Sequence, residues 1–148
     1  MLASLRIHAK DGKLCKLRDQ RIVFLGAGSS GAGVADLICQ GMVEDAKKDD
    51  SDTNPRKLDV ANYRKKNIWM LDSKGTITTK RTDKLAEHKI PFAREDEEPI
   101  TDLFETIKAV RPTALMGLAG QAAGSFTSLM IETMTEQCLA EGLRPIIM

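Results

Sequence analysis

Four consecutive apolar residues, Ile22, Val23, Phe24 and Leu25, run straight into glycines at positions 26, 28 and 31. A run that is β-branched and aromatic, without polar alternation, fits a strand covered on both faces. Val34, Leu37, Ile38 and Met42 then recur at helical spacing, which predicts a helix packed on the sheet by that stripe. Strand, glycine turn and helix in this order form the opening unit of a parallel α/β sheet, and they give the GxGxxG spacing its meaning. Gly26 permits the tight turn, Gly28 lets the backbone approach a pyrophosphate, and Gly31 lets the helix sit close to the strand. The free N–H groups and positive dipole end of the helix would face that pyrophosphate. In the competing reading the glycines serve packing alone.

The rest of the composition narrows the class. A chain of 148 residues is one domain by size and long enough for a real core. Lys and Arg number 22 against 21 Asp and Glu, so no charge excess points to nucleic acid or a membrane surface. No apolar run approaches the roughly 20 residues needed to span a bilayer. Residues 1–20 lack the apolar core of a secretory signal. Cys15, Cys39 and Cys138 are far apart and show no CxxC spacing. Reduced thiols in an intracellular protein are therefore expected, with Cys39 and Cys138 buried in helical patterns. His8 and His88 stand alone and are expected on the solvated surface.

In chain order, residues 1–20 read as a helix end and a polar linker. Residues 44–66 are charged, nearly free of apolar side chains and broken by Pro55, so a solvated insertion or partly disordered loop is expected there, Tyr63 included. Residues 67–72, NIWMLD, read as a second buried strand ending in Asp72. An acid at that position hydrogen-bonds the adenosine ribose in dinucleotide folds, whereas the plainer reading makes Asp72 a turn starter. Residues 76–99 are polar, with a short helix or two. Leu103, Phe104, Ile107 and Val110 mark a helix with Thr101 as its N-cap and Pro112 beyond its end. TALMGL, residues 113–118, is a third strand, followed by a small-residue turn to Gly124 against which a cofactor's ribose can lie. Phe126, Met130, Met134 and Cys138 give the last helix its face. Gly142 closes it and residues 144–148, RPIIM, start a fourth strand. The expected fold is thus a Rossmann-like, doubly wound α/β domain over residues 1–148, with about four parallel strands and an incomplete sheet.

With these segments placed, RIVFLGAGSSG, IWMLDSKG, VRPTALMGLAG followed by GSFT, and the closing RPII together resemble the NAD(P)-binding domain of malic enzymes. Those enzymes oxidise and decarboxylate malate to pyruvate. The resemblance covers nearly all of the chain outside residues 44–66. It implies that Gly26, Gly28, Ser29, Ser30 and Gly31 line the pyrophosphate, that Asp72 meets the adenosine ribose, and that Leu118 and Ala119 lie near the nicotinamide. Ser73 and Lys74 resemble the NADP-using branch, which leans the cofactor toward NADP over NAD. A further lysine of that branch falls near Thr79, with Lys80 beside it.

The resemblance also implies a divalent metal, Mg or Mn, homo-oligomers, and a cytoplasmic or mitochondrial place. The family's catalytic tyrosine and lysine and its metal-binding acids have no counterpart among these residues. The chain by itself is therefore expected to hold a dinucleotide and to lack activity on malate, which only the complete enzyme would bind. An apolar last strand reads as a sequence cut short. The rival readings are a non-catalytic dinucleotide-binding module, or truncated paralogue, acting through a partner, and an amino-acid dehydrogenase of the same cofactor fold. IWMLDSKG and GLAG speak against the latter.

Overall fold

The computed structural model describes residues 16–48, 59–118, 120 and 124–148. Its sheet has the order β3-β2-β1-β4-β5, with β1 at Ile22–Leu25, β2 at Ile68–Asp72, β3 at Gly75–Thr76, β4 at Ala114–Gly117 and β5 at Ile146–Ile147. β1 pairs in parallel with β2 and with β4, and β4 with β5. The four parallel strands are those expected, and a fifth strand joins them. The extra one, β3, is a short antiparallel return of β2 that pairs Leu71 with Thr76 and Asp72 with Gly75.

Period-two alternation divides the sheet into two faces. Ile22, Phe24, Ile68, Met70, Ala114 and Met116 belong to one buried cluster, while Val23, Trp69, Leu71 and Leu115 belong to another. The first face is covered by α1, Ser29–Lys47, and α2, Val60–Asn67; the second by α3, Leu103–Val110, and α4, Ser128–Ala140. Helices on both faces are what unbroken apolar strands require. Among the described residues no helix is long and apolar enough to cross a membrane.

Several local expectations are corrected. On α1, Met42 is buried and Val34 and Ile38 pack against the core as expected, but Leu37 lies 67% exposed, and the closest face toward the sheet is lined by the smaller Gly31, Ala32, Ala35 and Cys39. Small residues let the helix approach the sheet, and the larger Leu37 falls on the opposite side. Residues 44–47 continue α1 and do not begin an excursion. Within the stretch read as solvated, α2 starts at an Asp59 cap whose carboxylate accepts from Ala61 N at 2.9 Å. Tyr63 is buried against the first face. The charges of α2 hid its one inward aromatic from a composition argument.

α3 is capped by Asp102, which accepts from Glu105 N at 2.9 Å, and not by Thr101. Cys39 and Cys138 are buried as expected, and burial pushes the Cys39 thiol up to about 12. His8 and Cys15 lie outside the described residues.

Candidate functional site

The sheet order reverses at β1: its chain neighbour β2 lies on one side and β4 on the other. In open α/β sheets the crevice beyond the carboxyl ends of the strands at such a point is where ligands sit. The carboxyl ends here are tied together. Gly26 N donates to Leu71 O and Leu118 N to Leu25 O, both at 2.9 Å. A cleft of about 510 Å³ opens over them, with Gly26, Gly28, Asp72, Ser73 and Leu118 in its walls. That volume falls in the range of small-molecule and cofactor sites.

The glycines divide the work as their positions demand. Gly26 has φ 117°, a left-handed backbone that a side chain would strain. A Cβ on Gly31 would stand 2.6 Å from Gly26 O, so α1 could not come as close to the end of β1 with any larger residue. Gly28 meets the opposite condition, because no atom lies within 4 Å of where its Cβ would be. It faces open space at the cleft wall. Gly28 is also the N-cap of α1 and offers no side chain to cap it. Ser29 and Ser30 form the first exposed turn of the helix beside the cleft, not its wall. Ala119 lies outside the described residues.

Asp72 does more than start a turn. Lys74 N donates to its Oδ1 at 2.9 Å, which is the turn-starter's bond, but Arg81 Nη1 also donates to Oδ1 at 2.9 Å and Lys89 Nζ to Oδ2 at 2.6 Å. Burial pushes the carboxyl up, and the bonds from Lys89, Arg81 and Lys74 outweigh it, leaving Asp72 below the usual carboxylate range. The Arg81 side chain is only 4% exposed and grips Asp83 through Nε and Nη2 at 2.8 and 2.6 Å. The Arg81 guanidinium holds the Asp83 carboxyl well below its ordinary value. Lys74 sends its ammonium to Asp83 at 3.3 Å.

Sequence reasoning singled out neither Arg81 nor Lys89 and gave His88 no role at the site. All three come from the polar stretch of residues 76–99, where no periodic signal exists. The usable signal was Pro91-Phe92-Ala93: Phe92 and Ala93 are buried and anchor the 3-10 helix Glu87–Phe92 that carries His88 and Lys89. His88 is half-buried at the cleft, with Nε2 3.1 Å from Ala27 O, and so is not the solvated surface residue expected. Thr79 instead bonds Arg94 O, and Lys80 pairs with Glu98 at 2.6 Å. Neither is a wall of the cleft, and the lysine beside Asp72 is Lys89. Among the described residues no group of three or more His, Cys, Asp or Glu side chains could hold a metal ion, so the metal implied by the resemblance has no ligand set there.

A glycine turn, a strand-end acid and an open cleft at the switch point of a mostly parallel sheet define the Rossmann-like, dinucleotide-binding class of α/β domains. A family model described as malic enzyme, NAD binding domain, matches residues 1–148, and the chain belongs to that family. It is 42% identical over 118 residues to an NADP-dependent malic enzyme of Phaseolus vulgaris, covering 80% of this chain and 18% of that protein. It is 40% identical over 120 residues to the chloroplastic NADP-dependent malic enzyme 4 of Arabidopsis thaliana, covering 81% and 17%. To an NADP-dependent malic enzyme of Dictyostelium discoideum it is 39% identical over 121 residues, covering 81% and 20%. The chain thus spans about a fifth of the length of these relatives.

Proposed function

We propose that residues 1–148 form the cofactor-holding part of an enzyme that oxidises and decarboxylates malate to pyruvate, and that the dinucleotide held is NADP. The observation that carries the reading is the cleft at the carboxyl ends of β1, β2 and β4, open at Gly28 and carrying a cation pair on Asp72. In this reading Gly28, Ser29, Ser30 and Gly31 present backbone N–H groups and a helix N-terminus to the pyrophosphate, while Gly26, whose N–H is bonded to Leu71 O, lines it through the turn it permits. Asp72 meets the adenosine ribose, and Leu118 stands toward the nicotinamide. Once bound, the nicotinamide supplies the hydride acceptor.

Charge supports NADP over NAD. A bare Asp72 would repel a 2′-phosphate, but Arg81 and Lys89 each place a positive charge on it. Counting Asp72 and Asp83 against Lys74, Arg81 and Lys89 leaves one positive charge in surplus (three minus two). Ser73, beside them at the cleft wall, adds a hydroxyl. NADP-dependence in the relatives' names agrees. Malate and any further subunits enter this reading only with the complete enzyme.

The test is thermal melting of the chain with NADP or NAD at 1 mM. A ligand that binds only the folded state stabilises it by RT ln(1 + [L]/Kd), so a site of ~100 μM adds roughly 1.4 kcal/mol. For a domain of this size that is a rise in Tm of about 3–6 °C. A rise with NADP that exceeds the rise with NAD is expected. Equal shifts would remove the preference, and no shift with either would remove the cofactor reading.

A further inference from the structure

His88 and Lys89 are consecutive, yet they reach opposite walls of the cleft. Lys89 goes to Asp72 at the end of β2, and His88 goes to Ala27, in the middle of the glycine turn after β1. A carbonyl oxygen only accepts, so it is His88 Nε2–H that donates to Ala27 O, over 3.1 Å. The donor is held from behind: Phe92 and Ala93 are each 3% exposed, and Pro91 stiffens the segment between. The acceptor's side chain is buried, Ala27 being 3% exposed in the core of the first face, but the peptide after it leads into Gly28, which has no side chain to fix its orientation.

Ala27 O and Gly28 N belong to one peptide plane. In a trans peptide the C=O and the following N–H point in opposite directions, and the described backbone has no cis bond. Holding the oxygen therefore aims the N–H. Among the described residues no acceptor pairs with Gly28 N–H, and Gly28 faces open space at the cleft wall.

We infer that His88 is a positioning residue of the cleft: by holding Ala27 O it orients the Gly28 N–H toward the pyrophosphate of the bound dinucleotide. This rests on the dinucleotide reading above. His88 has no part in holding the adenosine end, which belongs to Asp72 and its cations. The role is confined to one peptide plane and one ligand group.

The experiment is calorimetric titration of the chain and its His88→Ala and His88→Gln variants with NADP and with adenosine 2′-monophosphate, which has the adenosine end but no pyrophosphate. Loss of one hydrogen bond that orients a donor predicts about fivefold weaker NADP binding in His88→Ala. Adenosine 2′-monophosphate should bind as in the parent chain. His88→Gln, which keeps an N–H donor, should recover NADP binding. A loss of general packing would instead weaken both ligands alike. An equal loss for both ligands, no loss at all, or a Gln variant as weak as Ala overturns the inference and leaves the dinucleotide reading standing. A parent chain that binds neither NADP nor NAD overturns both.

Discussion

At Gly31 a single hydrogen atom in place of a methyl group decides how close α1 lies to β1. The position of a Cβ there, 2.6 Å from a backbone oxygen of Gly26, leaves no flexible side chain to move aside. Gly31→Ala should cost about 1–3 kcal/mol by overpacking and weaken NADP binding, because the helix end must shift away from the turn. Denaturant melts and a titration check both parts; an unchanged midpoint would show that the helix end yields freely. Asp72 sets a pH dependence. Its folded value lies below the unfolded one, near 3.9, so its contribution is fully present above that pH and is lost as pH falls through the folded value. Asp72→Asn should destabilise the chain at pH 7, since Arg81 and Lys89 lose their shared carboxylate, and the gap to the parent should close below about pH 4. A gap that stayed constant down to pH 3 would assign the loss to something other than the charge.

Among the elements, the helices show how much of an end depends on one side chain. α3 has only eight residues, too few to be stable unaided, and Asp102 satisfies its Glu105 N–H. Asp102→Ala should cost about 1 kcal/mol, whereas Thr101→Ala, one residue earlier and exposed, should cost next to nothing. Equal effects in a pair of urea melts would contradict the capping assignment. α2 is held in another way. Its Arg64 Nε donates to Asp36 on α1 at 2.7 Å and its guanidinium stands 5.8 Å from the Phe92 ring centre. Tyr63 is buried beside them. These contacts join α1, α2 and the 3-10 helix, so the segment that carries His88 and Lys89 is braced by the same face of the sheet that positions the glycine turn.

For the whole molecule, the decisive feature is an asymmetric sheet. On one side β3 closes the edge with two antiparallel pairs, and Thr76 N and Ile100 N add bonds across it, to Ile100 O at 2.8 Å and from Ile100 N to Thr76 Oγ1 at 2.9 Å. On the other side β5 is the edge strand among the described residues, and Met148, Leu129 and Leu139 are exposed at 56%, 57% and 59%. An open strand edge and exposed apolar side chains each favour association. The chain is therefore expected to self-associate as concentration rises, read by light scattering on a sizing column. A single monomeric mass up to high concentration would show that this edge is self-limiting.

Much of this was legible in the chain because local patterns have local causes. IVFL and IWMLD fit strands covered on both faces, and glycines at 26, 28 and 31 between a strand and a helix fit the tight turn of a dinucleotide fold. The order of those patterns was enough for the fold class and for the family resemblance, and both stand. What the sequence could not declare were partners distant along the chain. Nothing in residues 76–99 marks Arg81 as a buried cation or Lys89 as the lysine that meets Asp72, because a charge inside a polar stretch has no periodicity to give it away. Folding brings Asp72 and Lys89, 17 residues apart, to 2.6 Å, and His88 and Ala27, 61 apart, to 3.1 Å. Apolar spacing and glycine placement determined the scaffold. The electrostatics of the cleft were decided by tertiary structure, since a hydrogen bond depends on where two groups end up in space and not on how either is spelled in the chain.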